Sequence, residues 1–171
     1  MPLKKPFDLP KIPKTRKKKA EAAIAAIPQK KPDKLEYYCK AFFTYDQALH
    51  QQFVVFRVET AVEFTSFAYE VSTEVLREKD QLFIILMGLK AETNIVPGIQ
   101  TAKKDIILEE LVGEFVINIV KQDGSINSGR YKLNIYNKEI ELLEEFIPEK
   151  KNNRHFCDFS VDEELNEFPE E

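Results

Sequence analysis

Four residues in this chain could hold a metal or serve as nucleophile and base: His50, His155, Cys39 and Cys157. Only His155 and Cys157 stand close in sequence. Structural zinc is normally gripped by two tight ligand pairs. One pair falls short of that, so no metal centre and no cofactor is expected. The five glycines include no G-x-G or G-x-x-x-x-G-K-[ST] spacing to cradle a phosphate. No G-x-S-x-G elbow presents a serine nucleophile. Glu139, Glu141, Glu144 and Glu145 are dense enough to suggest paired catalytic carboxylates, but on an alternating strand they read as a solvated face. The chain is therefore read as non-catalytic.

Residues suited to recognition cluster at the start. Six of the nine prolines fall within residues 1–34, and that stretch holds 11 Lys/Arg against Asp8, Glu21 and Asp33, a net of +8. The remaining 137 residues carry a net of −12, so a basic arm precedes an acidic body. Prolines at this density block helix and sheet hydrogen bonding, which leaves residues 6–13 as extended, polyproline-like chain. That stretch carries Phe7, Leu9 and Ile12. A tail that works by charge alone has no use for three apolar side chains, whereas a segment laid along a protein surface does. Residues 16–27 are rich in Lys and Ala and predict a helix that forms on docking or only partly, since twelve residues alone are marginal in water, with Ala20, Ile24 and Ile27 on one face. Lys17, Lys18 and Lys19 then lie where the helix dipole disfavours positive charge, unless an acidic surface or an anion faces them. The candidate partner-binding residues are Phe7, Leu9, Ile12, Lys17, Lys18, Lys19, Ile24 and Ile27.

The body that carries this arm is β-rich. Thirteen Phe, six Tyr and no Trp accompany period-two alternation in run after run. Strands are expected over residues 35–45 and 53–64, the latter with Val54, Phe56, Val58 and Val62 on one face. Phe67, Tyr69, Val71, Thr73 and Val75 alternate in a third, and residues 81–87 form a buried fourth. Residues 88–105 read as the longest irregular stretch. From Glu114 to Phe146 three strand patterns form an antiparallel meander, because such short connections cannot join parallel strands. Asp123-Gly124-Ser125, lengthened by Asn127-Ser128-Gly129, is its first turn. Beyond Pro148, Ser160-Val161-Asp162-Glu163 is a capping-box pattern, which predicts a short acidic helix striped by Val161, Leu165 and Phe168.

Leu111-Val112-Gly113-Glu114-Phe115, entering a long alternating strand, resembles the corner before a late strand in immunoglobulin-like and fibronectin-type-III-like sandwiches. Phe115 stands where those folds usually carry a tyrosine. The resemblance implies a fold and brings no catalytic or binding residue with it. The expected architecture is an all-β antiparallel sandwich of seven to eight strands. Residues 1–34 form the arm, 35–147 the self-sufficient sandwich domain, with Phe115 central to its core, and 148–171 an acidic tail.

The expected function is a non-catalytic protein-interaction module: an accessory or assembly subunit docked onto a larger complex through its arm. Two alternatives stand beside it, a β-barrel that binds a small apolar ligand, and a nucleic-acid or anionic-surface binder using the basic arm. No run of about 18 apolar residues is present, so no transmembrane helix is expected. The basic start lacks the apolar stretch of a secretory signal. Two cysteines without an export signal are expected to be free thiols, and the expected compartment is the cytoplasm.

Overall fold

The computed structural model describes residues 14–25, 30–93, 96 and 98–170. The chain divides into two compact units, Met1–Lys30 and Lys31–Glu171. In the first, helix α1 spans Lys14–Ala25. Alanines and lysines favour helix there, and no glycine or proline interrupts it. None of its residues is buried.

The second unit is all-β. Its strands are β1 (Tyr37–Asp46), β2 (Gln51–Phe64), β3 (Tyr69–Glu78), β4 (Gln81–Ala91), β5 (Gln100–Leu108), β6 (Val112–Lys121), β7 (Ile126–Asn134), β8 (Glu139–Phe146) and β9 (Cys157–Val161). All join one sheet in the order β8-β7-β6-β4-β3-β5-β2-β1-β9. The sheet curls into a nearly closed barrel, and its two end strands meet where the β8 Glu145 carboxylate accepts the β9 Phe159 N–H. The interior is filled: Tyr131, Phe43, Phe56 and Phe156 are among its fully buried side chains.

This arrangement corrects the antiparallel sandwich of seven to eight strands expected from the sequence. Short connections do give the antiparallel ladders β1/β2, β3/β4, β6/β7 and β7/β8. Parallel pairs then weld the hairpins together: β4 with β6 and β1 with β9, while β3 meets β5 at Glu70↔Lys103. Periodicity reports which face of a strand is buried and carries no information about which distant strand lies beside it.

The tail is corrected too. β9 lies beyond residue 147 and, together with Phe156 just before it, buries Cys157 and Phe159 in the core. In place of the expected acidic helix, the chain runs through β9 into one 3-10 turn, Glu163–Leu165. The edge of β1 holds this segment extended. Asp162 N–H bonds to Ala41 O, Glu167 N–H bonds to Phe43 O, and the Asn166 side chain accepts the Phe43 N–H. Phe168 reaches the Phe43 ring at a centroid distance of 5.8 Å.

Other boundaries moved for local reasons. Val54, Phe56 and Val58 are completely buried as expected, but the β2/β5 ladder breaks between Glu59 and Glu63, and Val62 stands 57% exposed. Of the alternating face of β3, only Val71 is fully buried, because the β3/β4 ladder shifts at Ser72/Thr73. The stretch expected to be irregular is taken up from both sides, β4 running to Ala91 and β5 starting at Gln100. Asn127, Ser128 and Gly129 lie inside β7 rather than in a turn. Phe115 is only partly buried and packs at the margin of the core, under the Arg77 guanidinium. Tyr131, opposite it in the β6/β7 register, takes the central position.

Candidate interaction surfaces

α1 places five cations, Lys14, Arg16, Lys17, Lys18 and Lys19, in its first two turns, with no acidic residue in the first. A helix N-terminus already carries partial positive charge, so these side chains weaken the free helix and would favour it against an anionic surface. Ile24 is 69% exposed and shares a face with Ala20, four residues earlier. Phe7, Leu9, Ile12 and Ile27 lie outside the described residues.

On the barrel, the most distinctive geometry is the seam between β8 and β9. The β6/β7 register pairs Asn127 with buried Ile119, which turns the Asn127 side chain inward. Its Oδ1 accepts the N–H groups of Phe156 and Cys157 at 2.8 and 2.9 Å, and its Nδ2 donates to Arg154 O at 2.8 Å. With the Glu145–Phe159 bond, these contacts close the barrel through side chains where a strand ladder would otherwise run. Gly129 supplies room: a Cβ there would lie 2.6 Å from the Phe159 ring.

An ionic latch sits at one end of the seam. Arg154, 4% exposed, places Nη2 2.9 Å from Glu36 Oε2 and 3.8 Å from Asp123 Oδ2. Lys121 Nζ approaches the same Glu36 oxygen at 2.7 Å. Burial works against the Glu36 charge, but the bonds from Lys121 and Arg154 outweigh it and hold the carboxyl below its usual range. For Asp123 burial again opposes ionisation, yet hydrogen bonds from Ser125, with Lys121 and Arg154 nearby, bring it down to about 2.

The other end opens into a groove of about 450 Å3. Phe43, Ile140 and Val161 supply its apolar lining, and Glu139, Glu141 and Glu163 stand among its polar wall residues, with Lys132 and Lys138. A second groove, of about 320 Å3, runs past Glu145, His155, Cys157 and Phe159.

The residues that suggested metal or nucleophile chemistry are dispersed. His155 Nε2 lies 2.8 Å from Asp158 Oδ1. His50 sits in the β1–β2 turn with φ of 51°. Cys39 and Cys157 are buried free thiols, and burial pushes both well above the ordinary thiol value. Among the described residues, no group of three His, Cys, Asp or Glu side chains comes together to hold a metal. Among the described residues, no helix is long and apolar enough to cross a membrane.

Sequence reading missed Asn127, Glu145 and Arg154. Asn127 offered one signal: a polar residue at an inward position of an alternating strand needs a buried partner. Glu145 and Arg154 offered none, because their partners Phe159, Glu36 and Asp123 lie at a distance in sequence. The chain matches no protein-family model, no curated protein sequence and no solved structure.

Proposed function

We propose that this chain is a non-catalytic protein-interaction module, an accessory or assembly subunit whose basic N-terminal segment docks onto a larger complex. The observation that carries this reading is α1, an exposed helix whose first two turns hold five cations and whose first turn has no acidic residue to offset them. Such a helix gains most when it lies on an acidic surface. Phe7, Leu9 and Ile12 add apolar contacts, and the surrounding prolines reduce the entropy lost on ordering. The apolar-ligand alternative requires a hollow barrel, whereas Phe43, Phe56, Tyr131 and Phe156 occupy the interior of this one.

The same five cations favour one rival, binding to nucleic acid or another polyanion. Phosphate binding through lysines falls steeply with salt, and it does not depend on Phe7, Leu9 or Ile12. The test replaces those three residues with Ser, keeps every lysine, and measures retention of partners from native lysate at low and high salt. Loss of a protein partner by the triple variant, with partial retention at high salt in the unaltered chain, is the expected result. Retention that the triple variant leaves intact and high salt abolishes would give the arm to a polyanion.

A further inference from the structure

We propose that the groove at the open end of the β8–β9 seam binds an extended, lysine- or arginine-bearing segment of a partner protein, which adds as a strand to the free edge of β8. β8 is an end strand of the sheet: its ladder partner is β7, and among the described residues none pairs with its other edge. Such an edge presents unpaired N–H and C=O groups in a row, which template a further strand. At residues 127–131 and 156–160 the seam is already closed by the Asn127, Glu145 and Tyr131 side chains. Toward residues 139–142 these closures stop, and the groove of about 450 Å3 begins.

The chemistry of the groove specifies the occupant. Ile140 and Val161, both partly exposed, offer an apolar lining to alternate side chains of an added strand. Glu139 and Glu141 are exposed on β8, and Glu163 stands on the facing wall. Farther along β8, Glu144 lies 3.8 Å from Arg130 and Glu145 accepts the Phe159 N–H, so the open acidic stretch is Glu139 and Glu141. Lys132 and Lys138 offset this only in part, and Lys138 Nζ is engaged over the Phe168 ring at 4.8 Å. Acidic side chains along an edge repel a second acidic strand and attract a basic one, so the same residues that guard β8 against indiscriminate pairing select its partner.

The experiment uses the full chain and two synthetic seven-residue peptides, one alternating lysine with valine and one alternating glutamate with valine. Binding is followed by titration calorimetry, and protection by amide hydrogen exchange. The lysine peptide is expected to bind, to slow exchange at residues 139–142, and to bind more tightly than the glutamate peptide by roughly tenfold or more. The double variant E139K/E141K changes two exposed side chains and is expected to keep the circular dichroism of the unaltered chain while reversing the peptide preference. If that variant unfolds, E139Q/E141Q, which removes the charge without reversing it, is expected to equalise the two peptides. Failure of the lysine peptide to bind, equal binding of both peptides by the unaltered chain, or protection that falls elsewhere than β8 would overturn the proposal. So would sedimentation showing that the groove is already occupied by a second copy, which the lysine peptide then displaces.

Discussion

The Tyr131 hydroxyl donates to the Ser160 carbonyl at 3.1 Å, and this bond joins the centre of β7 to β9 across the seam. The Tyr131 ring is completely buried, edge-on to Phe56 at a centroid distance of 5.2 Å. One residue thus anchors the core and helps close the barrel.

Tyr131→Phe removes the hydroxyl and leaves the Ser160 carbonyl without that donor. The expected loss is about 0.5–1.5 kcal/mol in urea unfolding. Tyr131→Ala is expected to cost about 3–5 kcal/mol, the range for emptying a buried aromatic site. Phe115→Ala is expected to cost less, because Phe115 is only partly buried. The reverse ranking would mean that β6 and β7 face the core differently.

Gly129→Ala places a methyl against the Phe159 ring, where a Cβ would stand at 2.6 Å. Overpacking of this kind typically costs about 1–3 kcal/mol. Combining it with Phe159→Leu should give a total smaller than the two separate losses, since the shorter side chain relieves the clash. Simple additivity in denaturant titrations would show that the two residues do not meet.

Removal of residues 148–171 strips away β9 and with it Phe156, Cys157 and Phe159. A chain ending at residue 147 is expected to lose cooperative thermal unfolding. A chain beginning at residue 31 and keeping the C-terminus is expected to retain it, because residues 31–171 form one compact unit. A cooperative melt from the shortened C-terminus would contradict the contribution of β9 to the core.

Acid should weaken the latch. Asp123 titrates near 2 in the folded protein and at about 3.9 when unfolded. Glu36 is shifted the same way. A carboxyl depressed by folding contributes stability that is fully present above its unfolded value and lost as pH falls toward its folded value. Chemical-denaturation midpoints are therefore expected to fall between about pH 4 and pH 2. The fall should be shallower in Asp123→Asn. Identical pH profiles for the two proteins would remove Asp123 from the account.

Much of the body was legible in the sequence because local chemistry decides it. Val54, Phe56 and Val58 share one face at period two, as do Tyr131 and Leu133, and all five are buried in the structure. The Asp123-Gly124 turn follows from a backbone that needs positive φ, and Gly124 has φ of 85°. The basic character of α1 is likewise a property of sequence alone.

What tertiary structure decided is which strands lie side by side. Ladders such as Leu82↔Ile117 and Cys39↔Phe159 join residues from different hairpins, and no local pattern distinguishes them from other apolar strand pairs. They turned an expected sandwich into a nearly closed barrel. They also drew residues 157–161, which read as the approach to a tail helix, into the sheet. There the free edge of β1 offered backbone bonds that a short isolated helix could not match.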